Sequence, residues 1–251
     1  MSPEKGFGDF GSFGISAEAG TAPVLMTVSA IALNFDSVTS DPSGSRADEI
    51  RVLLVKNKRP SRKAPEGKPG GFGLPTGQVE GGAFPDEIVD GTPRESLGHA
   101  VERETEHETG YAVKKIIGKA FIVPKQLKDP PVKNEIHIHV VEVSDWAGMV
   151  QERDEIDATV DPWFSLRQAY SMPRAQGKNG EDKNPDGIYF SHLSRLYRAI
   201  ESMLFHPEDL LDGEVIRKWL EPNRESLRLA MNDLAEEGLL DEFLPQKKSG
   251  N

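Results

Sequence analysis

The amino-acid sequence predicts an α/β fold that ends in a C-terminal helical extension. Strand-like apolar runs recur through the first part of the chain, and an amphipathic helix lies among them near residue 100. The segment after residue 205 has helical periodicity only. With 251 residues, of which 37% are hydrophobic, the chain can bury a sizeable core.

The order of these patterns divides the chain into three parts. Residues 1–22 contain the glycine- and phenylalanine-rich run Gly6–Gly14, whose glycines make a fixed conformation entropically costly, so we interpret them as a flexible tail. The phenylalanines could instead be docking points for a partner. Residues 23–205 form the main domain. Residues 206–251 form the extension, which could pack on the main domain or on a second subunit, as in a homodimer.

Each predicted element rests on a local pattern. Apolar or alternating runs predict strands at Val24–Phe35, Glu49–Lys56, Lys115–Val123 and Glu135–Val143. Trp163 begins a further ordered segment. Apolar residues at helical spacing predict a helix over Phe190–Phe205, and Pro222 is expected to separate two helices in the extension.

The charge balance narrows the class of partner. A net charge of −11 argues against nucleic-acid binding, which depends on clustered Lys and Arg. An acidic site can still bind a polyanionic phosphate compound if divalent cations bridge the two. The chain has no cysteine, and its longest apolar run is too short to span a bilayer. We therefore expect a cytoplasmic protein that binds a small molecule and no membrane.

A helix near residue 100 carries the residues with the clearest chemistry. Thr92-Pro93-Arg94-Glu95 matches a capping-box start, and Gly110 supplies the stop. Helical spacing places Glu104 and Glu108 on the face that also carries Leu97 and Val101. Buried carboxylates are costly unless compensated, and a divalent cation compensates them economically. The alternative is an ordinary solvated acidic helix.

The segment before this helix favours a metal site over a solvated acidic helix. Gly73–Gly82 is a turn rich in glycine, where backbone carbonyls could approach a metal or a phosphate. Together the two segments resemble the Nudix box, G-x5-E-x7-R-E-U-x-E-E-x-G-U, where U is a bulky apolar residue. Glu95, seven intervening residues and the run Arg103–Tyr111 follow its second half.

The chain departs from the box at three places. Ala83–Arg94 is a twelve-residue insertion between the turn and Glu95. His107 stands where the first glutamate of the Glu-Glu pair is expected, and Thr105 replaces an aliphatic residue. The histidine removes a negative charge and a hard oxygen ligand.

The resemblance to Nudix hydrolases implies a fold and an activity for residues 23–205. It implies an α/β/α sandwich with a mixed sheet and a Mg²⁺- or Mn²⁺-dependent hydrolase that cleaves a phosphoanhydride bond in a nucleoside diphosphate derivative. A weakly active or inactive nucleotide-sensing or protein-docking module is the alternative. Carried over by position, the metal ligands would be Glu104, Glu108, His107 and the Gly77 carbonyl.

The same resemblance assigns three further residues. Arg103 would orient a carboxylate, and Glu155, in a loop beyond the box, would be a further acidic ligand or base. Glu95 would fix the loop rather than perform chemistry.

A histidine pair on the last predicted strand is the remaining candidate. His137 and His139 lie on one strand face at two-residue spacing. As a zinc pair they lack a third convincing ligand, so we expect a half-exposed strand or a substrate contact.

Overall fold

A computed structural model describes residues 24–38, 44–58, 70–80, 88–89, 92–93, 95–118, 121–126, 133–151, 155–175 and 184–243. The predicted tail 1–22 lies outside these residues. The strands are β1 Val24–Asn34, β2 Arg51–Leu53, β3 Val55–Lys56, β4 Phe72–Gly73, β5 Thr76–Gln78, β6 Ile88–Val89, β7 Thr92–Pro93, β8 Tyr111–Ile116, β9 Phe121–Gln126, β10 Lys133–Ala147 and β11 Trp163–Ser165. The helices are α1 Arg46–Glu49, α2 Leu97–Thr109, α3 Leu166–Ser171, α4 Phe190–Phe205, α5 Pro207–Leu210, α6 Gly213–Val215 and α7 Glu221–Glu236, with a π-helical turn at Ile216–Leu220.

A mixed sheet of seven strands organises the fold. Five strands follow the order β11-β2-β1-β10-β8, while β5 also pairs with β1 and β9 with β10. The central strands β1 and β10 run parallel, with Val24 opposite Lys133 and Ala32 opposite Val141. The neighbouring pairings are antiparallel. The predicted mixed sheet is therefore confirmed.

Helices cover both faces of this sheet, because alternate residues of the central strands point to opposite sides. On one face, Val28 and Ala30 of β1 pack with Ala100 and Val101 of α2. On the other face, Ile31 and Ile138 pack in a larger cluster that includes α3, α4 and α7. The α/β/α architecture predicted from the resemblance is confirmed.

The C-terminal extension packs on the main domain. Leu227 and Leu234 of α7 are fully buried in the same cluster as α1 and α4. The Ser45 hydroxyl, just before α1, donates to Asp233 Oδ2 at 2.7 Å. Within the described part of the chain, no helix has the length and apolar character needed to cross a membrane.

Several predicted boundaries differ from those observed, although the helix Phe190–Phe205 is confirmed as α4. The predicted strand Lys115–Val123 spans the end of β8 and the start of β9, and Glu49 ends α1 instead of starting a strand. Pro222 does not separate two helices, because it occupies the first turn of α7, where a missing backbone N–H is tolerated. The helical path continues through the π-helical turn before it.

Candidate active site

The carboxylate helix α2 begins four residues later than the sequence predicts. Thr92 is not its cap, because Thr92 and Pro93 form β7 and pair with β6 inside the insertion. Ser96 is the cap, and its hydroxyl oxygen accepts a hydrogen bond from the His99 amide at 3.1 Å. The predicted stop is confirmed, since Gly110 ends the helix with φ 78°, a conformation that favours glycine.

Glu104 lies against the backbone of Gly77. The Glu104 side chain is buried, and a Cβ atom added to Gly77 would lie 1.8 Å from Glu104 Cδ. A side chain at position 77 therefore cannot coexist with this position of the carboxylate. Glycine is therefore required at position 77, because the Glu104 side chain of α2 approaches the backbone there.

Glu108 is fixed one helical turn further along the same face. It is 7% exposed, and its Oε2 accepts a hydrogen bond from the Thr76 amide at 2.9 Å. His192 of α4 supports the backbone just before Thr76, because its Nδ1 accepts a hydrogen bond from the Leu74 amide at 2.9 Å. Neither contact could be predicted from the sequence, because Glu108 is 32 residues from Thr76 and His192 is 118 residues from Leu74.

Arg103 links both segments of the site. Its guanidinium donates to Glu104 Oε1 at 2.6 Å, to both carboxylate oxygens of Glu95 at 2.9 Å, and to the Gln78 carbonyl at 2.9 Å. The hydrogen bond to Glu95 raises the pKa of Arg103. Arg103 therefore joins Glu95, Glu104 and the turn in one hydrogen-bonded network, and the orienting role of Arg103 stays a prediction.

Glu95 is held in its ionised form by the same network. Burial alone would raise its pKa, but hydrogen bonds from Arg103 and from the Glu80 amide outweigh it and lower the pKa below the ordinary value. Glu95 thus ties the entry of α2 to the turn and carries a stable negative charge against Arg103.

A cleft of about 170 Å³, here called the Glu108 cleft, opens beside the helix. Glu108 and Tyr111 line it on one side, and the loop residues Ile156 and Asp157 on the other. Glu155 precedes these loop residues, is half-buried, and its carbonyl accepts from the Lys58 amide at 2.7 Å. The fold therefore brings the residues that follow Glu155 to the cleft that contains Glu108, whereas Glu155 itself does not line this cleft.

The donor set suits a hard divalent cation. Two buried carboxylates, Glu104 and Glu108, lie one helical turn apart next to β5, and Gly77 of β5 has no side chain that would displace Glu104. His107 lies between them in sequence and is half-buried. Among the described residues, the structure gathers no group of three or more His, Cys, Asp or Glu side chains as a ready-made cage. A cation held here would keep several water ligands, as Mg²⁺ commonly does.

The histidine pair does not lie on a half-exposed strand. His137 and His139 are 6% and 7% exposed, on the sheet face that α2 covers. Burial and the neighbouring His137 lower the pKa of His139 to about 4. The predicted half-exposure is wrong because the strand is central and both of its faces are covered.

Comparison with known proteins places these features in a family. The NUDIX domain matches residues 38–184, more than half of the chain. No curated protein matches the sequence.

Three of the solved structures to which the chain is similar are the following. The MutT NUDIX hydrolase from Burkholderia pseudomallei is 22% identical, with 62% of this chain and 92% of that chain covered and a TM-score of 0.38. The NUDIX domain of Shewanella oneidensis NrtR, complexed with ADP ribose, is 20% identical, with coverages of 71% and 88% and a TM-score of 0.44. A bifunctional NMN adenylyltransferase/ADP ribose pyrophosphatase from Francisella tularensis, complexed with AMP and Mn ion, is 19% identical, with coverages of 73% and 43% and a TM-score of 0.36.

Proposed function

The chain belongs to the Nudix hydrolase family, and from that premise we propose that it is a divalent-metal-dependent enzyme that cleaves a phosphoanhydride bond in a small nucleoside-diphosphate-linked substrate. The observation that carries the proposal is the pair of buried carboxylates, Glu104 and Glu108, held over Gly77 and Thr76. Arg103 compensates part of this negative charge through its hydrogen bond to Glu104, and a divalent cation bound by the two carboxylates would compensate the rest.

The roles of the residues follow from their contacts. Glu104 and Glu108 would hold Mg²⁺ or Mn²⁺, with His107 and the Gly77 carbonyl as further donors. A bound divalent cation would polarise the diphosphate and stabilise its developing charge. Arg103 holds Glu104 at a fixed angle through a 2.6 Å hydrogen bond. Glu155 would accept a proton from the attacking water, since the residues that follow it, Ile156 and Asp157, line the Glu108 cleft.

The acidic character of the chain supports a small substrate. The net charge of −11 disfavours binding of a long polyanion such as RNA unless cations lie between the two. A single diphosphate needs only the few charges that a divalent cation supplies. We therefore propose a small-molecule substrate rather than a nucleic acid.

A second candidate function is supported by His107. An imidazole in place of a carboxylate weakens the attraction to Mg²⁺ and favours softer ions such as Mn²⁺. A Nudix-fold module that binds a nucleotide derivative and hydrolyses it slowly or not at all would tolerate this change. The two candidates differ in turnover and not in ligand binding.

The experiment that tests the proposal is a hydrolysis screen with product identification. Nucleotide sugars, dinucleotides, ADP-ribose and nucleoside triphosphates are each incubated with Mg²⁺, with Mn²⁺ and with a chelator. We expect one substrate class to be cleaved only with metal, and Glu108→Gln to lower turnover by at least about 100-fold. Glu106→Gln is the matched control, because Glu106 is an exposed glutamate on the same helix.

Two outcomes would contradict the proposal. Equal turnover in Glu108→Gln and Glu106→Gln, with both variants folded, would remove Glu108 from the site. Saturable binding of a nucleotide derivative by the wild type, without turnover under any metal, would establish the binding module instead.

A further inference from the structure

We propose that a second cleft, between the end of β1 and the C-terminal extension, binds the base of a nucleoside. This tryptophan cleft has a volume of about 500 Å³ and is lined by residues of β1, β8, β10, β11 and the C-terminal extension, among them Tyr111, Trp163 and Trp219. The proposal that this base belongs to a substrate rests on the function proposed above. Sites for small molecules commonly have volumes of roughly 300–1,000 Å³.

The cleft exists because a central strand ends early. β1 stops at Asn34, whereas its parallel neighbour β10 continues to Ala147. The last β1 residue that pairs with β10 is Ala32, opposite Val141. Beyond that point Ser144 and Asp145 line the cleft instead of facing a strand. A gap at the carboxyl ends of parallel strands is a common location for ligand sites in α/β folds.

Aromatic side chains form two walls of the cleft. Trp163 packs edge-on against Tyr111, with ring centroids 5.7 Å apart and an interplanar angle of 79°. Trp219 packs in the same manner against Phe35, at 5.7 Å and 80°. Each indole is thereby held in place by a perpendicular partner while remaining part of the wall. Two oriented indoles suit a flat heteroaromatic ring, which stacks on aromatic side chains.

The charges in the cleft select the kind of aromatic group. Three carboxylates, Asp36, Glu142 and Asp145, line it against a single cation, Lys114. Lys114 already donates to Asp145 at 3.3 Å. Phosphate is therefore disfavoured, whereas a neutral base can donate N–H groups to carboxylates, which only accept. Bases with an exocyclic amino group should bind better than uracil, which lacks one.

The tryptophan cleft adjoins the candidate active site through one side chain. Tyr111 lines both this cleft and the Glu108 cleft. A nucleoside whose base lies between the tryptophans could direct its phosphate end past Tyr111 toward Glu108. The arrangement separates an acidic, metal-independent base site from the metal-dependent diphosphate site.

Two of the segments that line the tryptophan cleft lie outside the matched NUDIX domain, one on each side of it. Trp219 and Asn223 belong to the C-terminal helices, and Asn34–Asp36 precede residue 38. Trp219 lies in the π-helical turn, a feature that is frequently found at functional sites. The extension thus acquires a function beyond packing, because it supplies one aromatic wall.

The distribution of tryptophans permits a direct test without metal or turnover. The chain has three tryptophans, and only Trp146, which is 78% exposed, lies outside the lining of the cleft. Trp146→Phe therefore reports from the cleft alone, and the double variant Trp163→Phe/Trp219→Phe reports from Trp146 alone. Each protein is titrated with adenosine, cytidine, uridine and ribose, with fluorescence excited where the nucleosides do not absorb.

We expect a saturable fluorescence change in Trp146→Phe with adenosine and cytidine, and binding of uridine weaker by about tenfold. The double variant and the ribose titrations should give no saturable change. Glu142→Gln, an exposed position that does not threaten folding, should weaken adenosine binding and narrow its advantage over uridine. No saturable change in Trp146→Phe, or an equal change in the double variant, would overturn the proposal.

Turnover separates this proposal from the proposed function. Adenosine binding in the cleft without hydrolysis of any nucleoside diphosphate derivative would overturn the proposed function and leave the base site standing. Hydrolysis in which Glu142→Gln leaves KM unchanged for both amino-bearing and uracil substrates would overturn the role of the cleft in substrate binding alone.

Discussion

Gly77→Ala is the substitution for which the structure gives the clearest magnitude. The added methyl carbon would lie 1.8 Å from Glu104 Cδ and 1.9 Å and 2.2 Å from its two carboxylate oxygens. Because non-bonded heavy atoms rest about 3.5 Å apart, the carboxylate must move by about 1.5 Å. The movement also pulls Glu104 away from the Arg103 guanidinium, which now holds it at 2.6 Å.

The consequence should be a large loss of turnover with a smaller loss of stability. A displacement of about 1 Å in a catalytic group can cost about 100-fold in rate, or about 2.7 kcal/mol. We therefore expect kcat to fall by at least about 100-fold in Gly77→Ala. Since the clash involves the end of a side chain, the free energy of unfolding should fall by only about 1–3 kcal/mol, as for other overpacked sites.

The assay combines steady-state kinetics with urea unfolding, and Gly98→Ala is the control. A Cβ at Gly98, in the first turn of α2, meets only Ile116 Cδ1 at 3.4 Å. Alanine favours helix over glycine by up to about 1 kcal/mol, so this variant should keep its turnover and gain stability. In a Glu104→Ala background, Gly77→Ala should have no further effect, because the clashing group is absent.

The reasoning would be refuted by a folded Gly77→Ala protein with native turnover. That result would mean that Glu104 does not need its position over residue 77 for catalysis. Equal losses in Gly77→Ala and Gly98→Ala would likewise show that the effect comes from general sensitivity of the helix and its turn.

Two further predictions concern stability. Ser96→Ala removes the observed cap of α2 and should lower the free energy of unfolding by about 1 kcal/mol, whereas Thr92→Ala should not destabilise the helix; equal losses would restore Thr92 as the cap. The folded-state pKa of His139 is lowered to about 4. The pKa of His139 in the unfolded chain is about 6.5. Between about pH 6.5 and about pH 4 the unfolded chain therefore binds a proton that the folded protein does not, and the free energy of unfolding falls by up to about 3 kcal/mol. His139→Gln should show a smaller decrease in urea stability between about pH 7 and about pH 4.5, and parallel decreases in both proteins would contradict this account.

The parts of the site that depend on helical spacing could be predicted from the sequence. Glu104 and Glu108 share a face with Val101 because four residues make about one turn, and the structure buries all three. Gly110 as the helix stop follows from the same local rule. These statements need only the period of a helix and the conformational freedom of glycine.

The parts that depend on distant contacts could not be predicted. His192 supports the turn from a helix 118 residues away, and Trp219 reaches its cleft from the C-terminal extension. The predicted start of α2 differs from the observed one because Thr92 and Ser96 both have a hydroxyl that could cap a helix. Pairing of β7 with β6 decides between them, and a two-residue strand leaves no periodic signal.

The two residues on either side of the segment 81–94 are hydrogen-bonded to each other. The Glu95 amide donates to the Glu80 carbonyl at 3.0 Å, and the Glu80 amide donates to Glu95 Oε2 at 3.0 Å. Arg103 then holds Glu95 against the helix. Doubling the length of a loop whose ends are fixed costs only about 0.6 kcal/mol of closure entropy. Because the two ends of this segment are held together and Glu95 is held by Arg103, residues between Glu80 and Glu95 can be added without moving Glu104 or Glu108.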